Sequence, residues 1–179
     1  MGLFTNSIKP ASGLGSGFSG GIIQMKYTPV RSVVSHSSSE TGNHTSAFDT
    51  TITPTSTNSR MLITVYFGAV SSSGGNTNGW MIRRGSSEIN DLRANADGNR
   101  RLYTCRGVTT WNADSNHCHS YAFTVIDHPN TTSSITYRLY TSNEGSHTVY
   151  FNRGRQNVNS GSPIYARTMS SMTVMEVTR

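Results

Sequence analysis

Charged residues are scarce in this chain of 179 residues. Only 13% of them are Asp, Glu, Lys or Arg and only 34% are hydrophobic, and both fractions are low for an ordinary cytosolic enzyme. No run of about 18 apolar residues occurs, so the sequence predicts no membrane-spanning helix. The first residues lack the apolar core of a secretory signal, and we therefore expect no signal peptide.

Cysteine is rare, because the chain has only Cys105 and Cys118, which cannot form a disulfide framework. Since no export signal is visible, we expect both to be free thiols.

Lysine is equally rare, and the net charge of +6 rests on 13 Arg against 2 Lys. The arginines are scattered singly or in pairs, so nucleic acid is not an expected partner. Arginine in preference to lysine is typical of side chains held in interfaces, because the planar guanidinium makes fixed pairs, and acidic glycans or an acidic protein surface are equally compatible partners.

Serine and threonine are abundant, with 50 residues together, and Asn (15) and Gly (17) add many turn formers. This excess favours a β-rich protein with polar turns. Alternation of apolar and polar residues is clearest in 61–67 and 172–177, and no stretch keeps a helical period. We predict an all-β fold, an antiparallel β-sandwich of jelly-roll type, with strands at 22–34, 46–53, 60–70, 79–85, 101–107, 117–127, 134–142, 146–151 and 171–178.

The glycine-rich stretch GLGSGFSGG contains the spacing GxGxxG at Gly15, Gly17 and Gly20. A dinucleotide fingerprint needs a buried strand before these glycines and a helix after them. Here a polar segment precedes them and a strand follows, so we expect no cofactor. Residues 1–21 are instead predicted to be a flexible or extended attachment arm, and residues 22–179 a head domain.

The predicted arm has few apolar residues, and it cannot bury enough surface to fold alone. We expect it to become ordered when it docks on a larger structure. Its anchors would be Leu3, Phe4, Ile8, Leu14 and Phe18.

The triplet His117-Cys118-His119 raises the question of a metal site. On a strand, His117 and His119 would point to the same face. Zinc needs three or four ligands, so a further one would have to come from His128, His147 or a symmetry mate at an oligomer axis. Ordinary strand histidines are the favoured interpretation, and His117 and His119 are weak metal candidates only.

No constellation for catalysis is visible. The nine Asp and Glu residues are dispersed along the chain, whereas a glycosidase needs two carboxylates facing each other across a cleft. The motif HExxH and the phosphate-binding loop are absent from the sequence. We therefore expect no enzymatic activity and no catalytic residues.

Aromatic and arginine side chains are better candidates for binding a partner. Trp111 lies in the polar stretch GVTTWNADSNH, where it could stack on a sugar or anchor a partner, or fold back over the end of a sheet. We expect a receptor to contact the loops 71–79, 94–100 and 108–116. The candidate contacts are Trp80, Trp111, Arg100, Arg101 and Tyr103.

Six stretches in sequence resemble a domain of tail-fibre and other appendage proteins of marine bacteriophages, especially those that infect cyanobacteria. The stretches are GGIIQMKYTP, TTITPTSTNSRMLITVYFGAV, WMIRRGSSEI, VIDHPNTTSSITYRLY, HTVYFNRG and ARTMSSMTVMEVTR, and they cover most of residues 20–179. The resemblance implies a non-enzymatic virion structural protein, located on the particle surface, with a homotrimeric β-sandwich head.

Three functions are compatible with this resemblance. A receptor-binding appendage would attach the particle to a host glycan or protein, and other virion proteins would hold it through its arm. A capsid or tail decoration protein would dock in the same way without binding the host. A depolymerase would need a carboxylate pair that the sequence does not reveal.

Overall fold

The computed structural model describes residues 21–74, 77–108 and 118–177. Within these ranges the chain forms strands joined by turns and two 3-10 helical turns, Asn90–Leu92 and Pro163–Tyr165. The strands, numbered in chain order, are β1 Ile22–Val30, β2 Val34–Ser38, β3 Asn43–Ile52, β4 Arg60–Ser72, β5 Thr77–Arg84, β6 Ser87–Glu88, β7 Cys105–Val108, β8 His119–Asp127, β9 Ile135–Asn143, β10 His147–Phe151 and β11 Ser170–Val177.

The strands form two sheets, and all the strand pairs are antiparallel. In sheet A the order is β1-β11-β4-β10-β2, with β8 on the other side of β4. In sheet B the order is β3-β9-β5-β6, with β7 also pairing with β5. The predicted all-β antiparallel sandwich is confirmed, whereas the jelly-roll type stays a prediction.

The core lies between the two sheets because the strands alternate as their sequences indicate. In β4, Met61, Ile63, Val65 and Phe67 are buried, while the residues between them point outward. Phe67 lies at the centre, with ring centroids 4.9 Å from Trp80, 5.2 Å from Phe151 and 5.6 Å from Phe48. Tilted and edge-on aromatic pairs of this kind add to the stabilisation from burial alone.

A buried carboxylate, Glu176 in β11, joins the start of β1 to the turn between β3 and β4. One oxygen accepts hydrogen bonds from the backbone N–H and hydroxyl of Thr55 and the hydroxyl of Ser59, and the other from the amide of Gln24, all at 2.6–2.7 Å. Burial alone would raise the pKa of Glu176. The hydrogen bonds outweigh this effect and lower the pKa to about 2.

A second polar cluster connects the two sheets. Arg84, at the end of β5, donates to both carboxylate oxygens of Asp127, at the end of β8, at 2.6 and 2.8 Å. The hydroxyl of Tyr137 donates to the same carboxylate at 2.5 Å. The bond to Asp127 raises the pKa of Arg84, while burial and then the bond to Asp127 raise the pKa of Tyr137. The bidentate pair of Arg84 and Asp127 fixes the end of sheet A against sheet B.

Two predicted strands differ from those observed. The segment 22–34 is not one strand, because β1 ends at Val30 and β2 begins at Val34. The buried amide of Asn152 donates to the carbonyls of Val30 and Ser32 and so holds the chain where it leaves the sheet. The predicted strand 101–107 begins only at Cys105, and Arg101 and Tyr103 ahead of it line a pocket.

Candidate functional site

A pocket of about 530 Å³ opens at the end of sheet B where β5 begins and β9 ends. Three arginines, two glutamates and one tyrosine dominate its lining. The lining residues are Glu40, Thr77, Gly79, Arg100, Arg101, Tyr103, Arg106, Asn143 and Glu144.

Strand pairing brings these separate segments together. Gly79 in β5 lies opposite Arg106 in β7. On the other side of β5, Asn78 lies opposite Asn143, and Glu144 follows directly as β9 turns towards β10. Glu40 arrives from the β2–β3 turn, which the backbone N–H of Asn143 holds by a 3.2 Å hydrogen bond to the carbonyl of Ser39. The pocket is therefore built where β5 begins and β9 ends in sheet B.

Tyr103 is fixed against the floor of the pocket. Its ring lies where a side chain on Gly79 would be, because a Cβ atom there would come within 2.3 Å of the ring. Its hydroxyl lies 3.1 Å from the hydroxyl of Ser142, which donates in turn to the carbonyl of Glu40 at 2.7 Å. Glycine at position 79 is what allows the ring to approach the strand so closely.

The arginines of the pocket differ in their partners. Arg101 donates to the carboxylate of Glu40 at 2.6 Å and also to the Glu40 carbonyl. Arg100 pairs with the carboxylate of Asp97 on the exposed loop. Arg106 makes one 3.3 Å contact with the hydroxyl of Thr77, and it has no acidic partner in residues 21–74, 77–108 or 118–177. Arg106 is thus the cation most available to a ligand.

The structure groups three of the predicted binding residues, Arg100, Arg101 and Tyr103, around this one pocket. The prediction that Trp80 contacts a receptor is wrong. It is fully buried, with its ring 4.9 Å from Phe67 and 5.1 Å from Tyr121, so it is a core residue and cannot contact a receptor. Trp111 lies outside the described residues.

The histidine triplet is only partly described. His119 is exposed at the start of β8, with its ring 6.2 Å from that of Tyr121, while His117 lies outside the described residues. In the described part of the chain, no three His, Cys, Asp or Glu side chains come close enough to hold a metal ion. Cys105 and Cys118 are free thiols, as expected.

Sequence reasoning missed the remaining charged residues of the pocket, Glu40, Arg106 and Glu144. They are far apart in the sequence, and each lies in a separate turn or short strand. The usable signal for Arg106 was its position two residues before the predicted contact loop 108–116. The place of Arg106 in the sequence did not indicate that it lines the same pocket as Glu40 and Glu144.

The solvent-facing side of sheet A is a second candidate surface. On this side the strands β1, β11, β4 and β8 align side chains in rows across the sheet. We call the three rows the outer face, and they are Met25–Met175–Leu62–Ile126, Tyr27–Thr173–Thr64–Thr124 and Pro29–Ser171–Tyr66–Ala122.

No residue of these three rows is charged, and the next row on the same side of the sheet carries Arg60 opposite Val177. Met25 is 58% exposed and Ile126 is 48% exposed, although both lie in an apolar row. The solvent side of an antiparallel sheet normally carries polar and charged side chains. Exposed apolar surface without charge, rich in Met and Tyr, is typical of a protein–protein interface.

Comparison with known proteins gives similarity only at low identity. A structure of infectious bursal disease virus, Gx strain, is 14% identical with a TM-score of 0.38, over 89% of this chain and 40% of that one. A structure of the Gt strain is 13% identical with a TM-score of 0.36, over 87% and 40%. The crystal structure of the VP2 subviral particle of this virus is 10% identical with a TM-score of 0.34, over 87% and 40%.

This chain therefore spans about 40% of the length of the chains that it matches. At these TM-scores the similarity carries no inference about function. No protein-family model and no curated protein matches the sequence. Within the described ranges, no helix has the length and apolar character needed to span a membrane.

Proposed function

We propose that this chain is a non-enzymatic structural protein of a bacteriophage particle, the head of a tail appendage that attaches to the host surface. The ordered series of six motifs in residues 20–179 supports the virion role. The observation that carries the attachment role is the pocket, which brings Arg100, Arg101 and Tyr103 together at one end of sheet B.

The position of the pocket fits a receptor-binding end. The loop 94–100 and the segment 71–79, two of the predicted contact regions, both contribute lining residues. Loops on a rigid scaffold are where binding residues concentrate. The third predicted region, 108–116, follows β7 directly, and apart from Val108 it lies outside the described residues.

The experiment is binding of the fluorescently labelled full chain to a panel of marine cyanobacterial strains. We expect saturable binding to at least one strain and loss of most of it in Arg101→Ala/Arg106→Ala. The matched control is Arg31→Ala, since Arg31 is an exposed arginine outside the pocket. Equal binding by both variants would remove the pocket from the proposal. Release of reducing ends from host polysaccharide, abolished by Glu40→Gln or Glu144→Gln, would show a depolymerase instead.

A decoration protein of the capsid or tail is the second candidate, and the outer face favours it. The three uncharged rows of the outer face would then lie on another virion protein rather than on a second copy of the chain. Cryo-electron microscopy of particles separates the two candidates. An appendage places the pocket away from the particle, and a decoration protein places the outer face on the shell and binds no cells.

A further inference from the structure

We infer that the pocket binds a sugar acid, a pyranose unit with a carboxylate, through Arg106. This inference rests on the proposed function, since it names the chemical class of the surface glycan. It is argued from the size of the pocket, the balance of its charges and the fixed position of Tyr103.

The size of the pocket suits a unit of one or two sugar rings. Its volume of about 530 Å³ lies within the roughly 300–1,000 Å³ that is usual for small-molecule sites. A polymer could continue out of the pocket over the exposed residues 94–100.

The charges of the lining indicate a ligand with a single negative group. Arg101 pairs with Glu40 and Arg100 with Asp97, so among the described residues Arg106 is the arginine of the lining without an acidic partner. A phosphate or a densely sulfated chain would bring several negative charges beside Glu144, whose carboxylate has no side-chain partner among the described residues. A ring carboxylate needs one planar cation, which Arg106 supplies because no acidic partner among the described residues occupies it.

The same glutamates suit the hydroxyl groups of a sugar. Glu144 is exposed and has no side-chain partner among the described residues, so its carboxylate is available to accept from a hydroxyl. Glu40 is oriented by Arg101, which holds one of its oxygens at 2.6 Å. Acceptors that are fixed before binding lose little entropy when the ligand arrives.

Tyr103 supplies an apolar wall for the C–H face of a pyranose. The hydroxyl contact with Ser142 and the close approach to Gly79 keep its ring in one place. An immobile amphipathic ring gives contact area at low entropic cost.

The test is isothermal titration of the full chain with three probes. The methyl glycosides of galacturonic acid and of N-acetylneuraminic acid each carry one carboxylate, and the methyl ester of the galacturonide lacks that charge with the same ring. We expect at least one acid to bind in the micromolar to millimolar range and the ester to bind at least tenfold more weakly. Arg106→Gln should weaken the acid tenfold or more and the ester little, while Arg31→Gln should leave both unchanged.

The inference is overturned if neither acid binds or if acid and ester bind equally. It is also overturned if sodium sulfate at equal ionic strength competes as well as the acid, because that result indicates an unspecific anion site. Its failure differs from failure of the proposed function. Cell binding that the acids do not compete refutes only the sugar acid. Binding of the acid without any binding to cells refutes only host attachment.

Discussion

At the scale of single residues, Glu176 shows how a charge can be buried without a cation. The carboxylate accepts four hydrogen bonds from Gln24, Thr55 and Ser59, and these replace the water it loses. Glu176→Gln puts an NH₂ group against hydrogen-bond donors, and we expect a loss of roughly 2 kcal/mol or more in the free energy of unfolding. Urea unfolding at pH 7 measures this loss. The control is Glu88→Gln, an exposed ion-pair residue, which should change stability by about 1 kcal/mol or less.

The same residue gives a pH dependence with a defined sign. The pKa of Glu176 is about 2 in the folded chain against 4.5 ordinarily, so the folded state prefers the ionised form. Its contribution is complete above pH 4.5 and is lost as the pH falls towards 2. We expect the wild-type chain to lose stability more steeply than Glu176→Gln between pH 4.5 and 2.5. Parallel slopes for the two proteins would show that other groups cause the acid sensitivity.

Gly79 permits the close contact that shapes the pocket. In Gly79→Ala the new methyl group would come within 2.3 Å of the Tyr103 ring, so the ring must leave its place. We expect a cost of about 1–3 kcal/mol in stability and a weaker binding of cells or sugar acid. Thermal melting and cell binding measure the two effects. Gly161→Ala is the control, because no atom lies within 4 Å of its Cβ position, and it should change neither quantity.

At the scale of strands, periodicity in the sequence was a reliable guide where one face is buried. Residues 60–70 were predicted as a strand and lie inside β4, because Met61, Ile63, Val65 and Phe67 alternate with outward residues. The break at 31–33 was not predictable. It depends on Asn152, more than a hundred residues later, whose amide holds Val30 and Ser32.

The pocket was predicted only in part for a similar reason. Arg100, Arg101 and Tyr103 are close in the sequence, and a polar loop is an expected place for binding residues. Which distant turns would complete the site depends on the order of strands, which local patterns do not contain. Trp80 was predicted as a contact together with Trp111 because aromatic side chains favour binding, whereas the pairing of β5 with β7 and β9 turns its ring into the core.

The outer face gives a prediction about sheets. If it lies between copies of the head, Ile126→Glu places a charge in the row Met25–Met175–Leu62–Ile126 and breaks the association. We expect a monomer by light scattering with an unchanged circular dichroism spectrum. Val158→Glu is matched, since Val158 is exposed and apolar but outside the sheets, and it should keep the assembly. An unaltered assembly in Ile126→Glu would exclude the outer face from the contact.

At the scale of the whole molecule, the head and the arm remain separate predictions. Residues 1–20, with the proposed anchors Leu3, Phe4, Ile8, Leu14 and Phe18, lie outside the described residues. We predict that deletion of 1–21 leaves a soluble trimer with an unchanged melting transition that is no longer incorporated into particles. Light scattering and the protein composition of assembled particles measure the two halves. A monomer would refute the threefold assembly, and normal incorporation would show that the head makes the attachment.

The pairing of β1 with β11 determines how the head responds to pulling force. Ile22 lies opposite Val177, so a load that enters ahead of β1 acts on one edge strand, whose ladder partner is β11. An edge strand pulled from its end peels away pair by pair. Gln24 lies two residues from that end, and its amide bonds to Glu176 and to the carbonyl of Thr53 at 2.6 Å resist the first step. The hydrogen bond to the buried Glu176 carboxylate therefore holds the end of β1 that a load applied through the preceding residues would reach first.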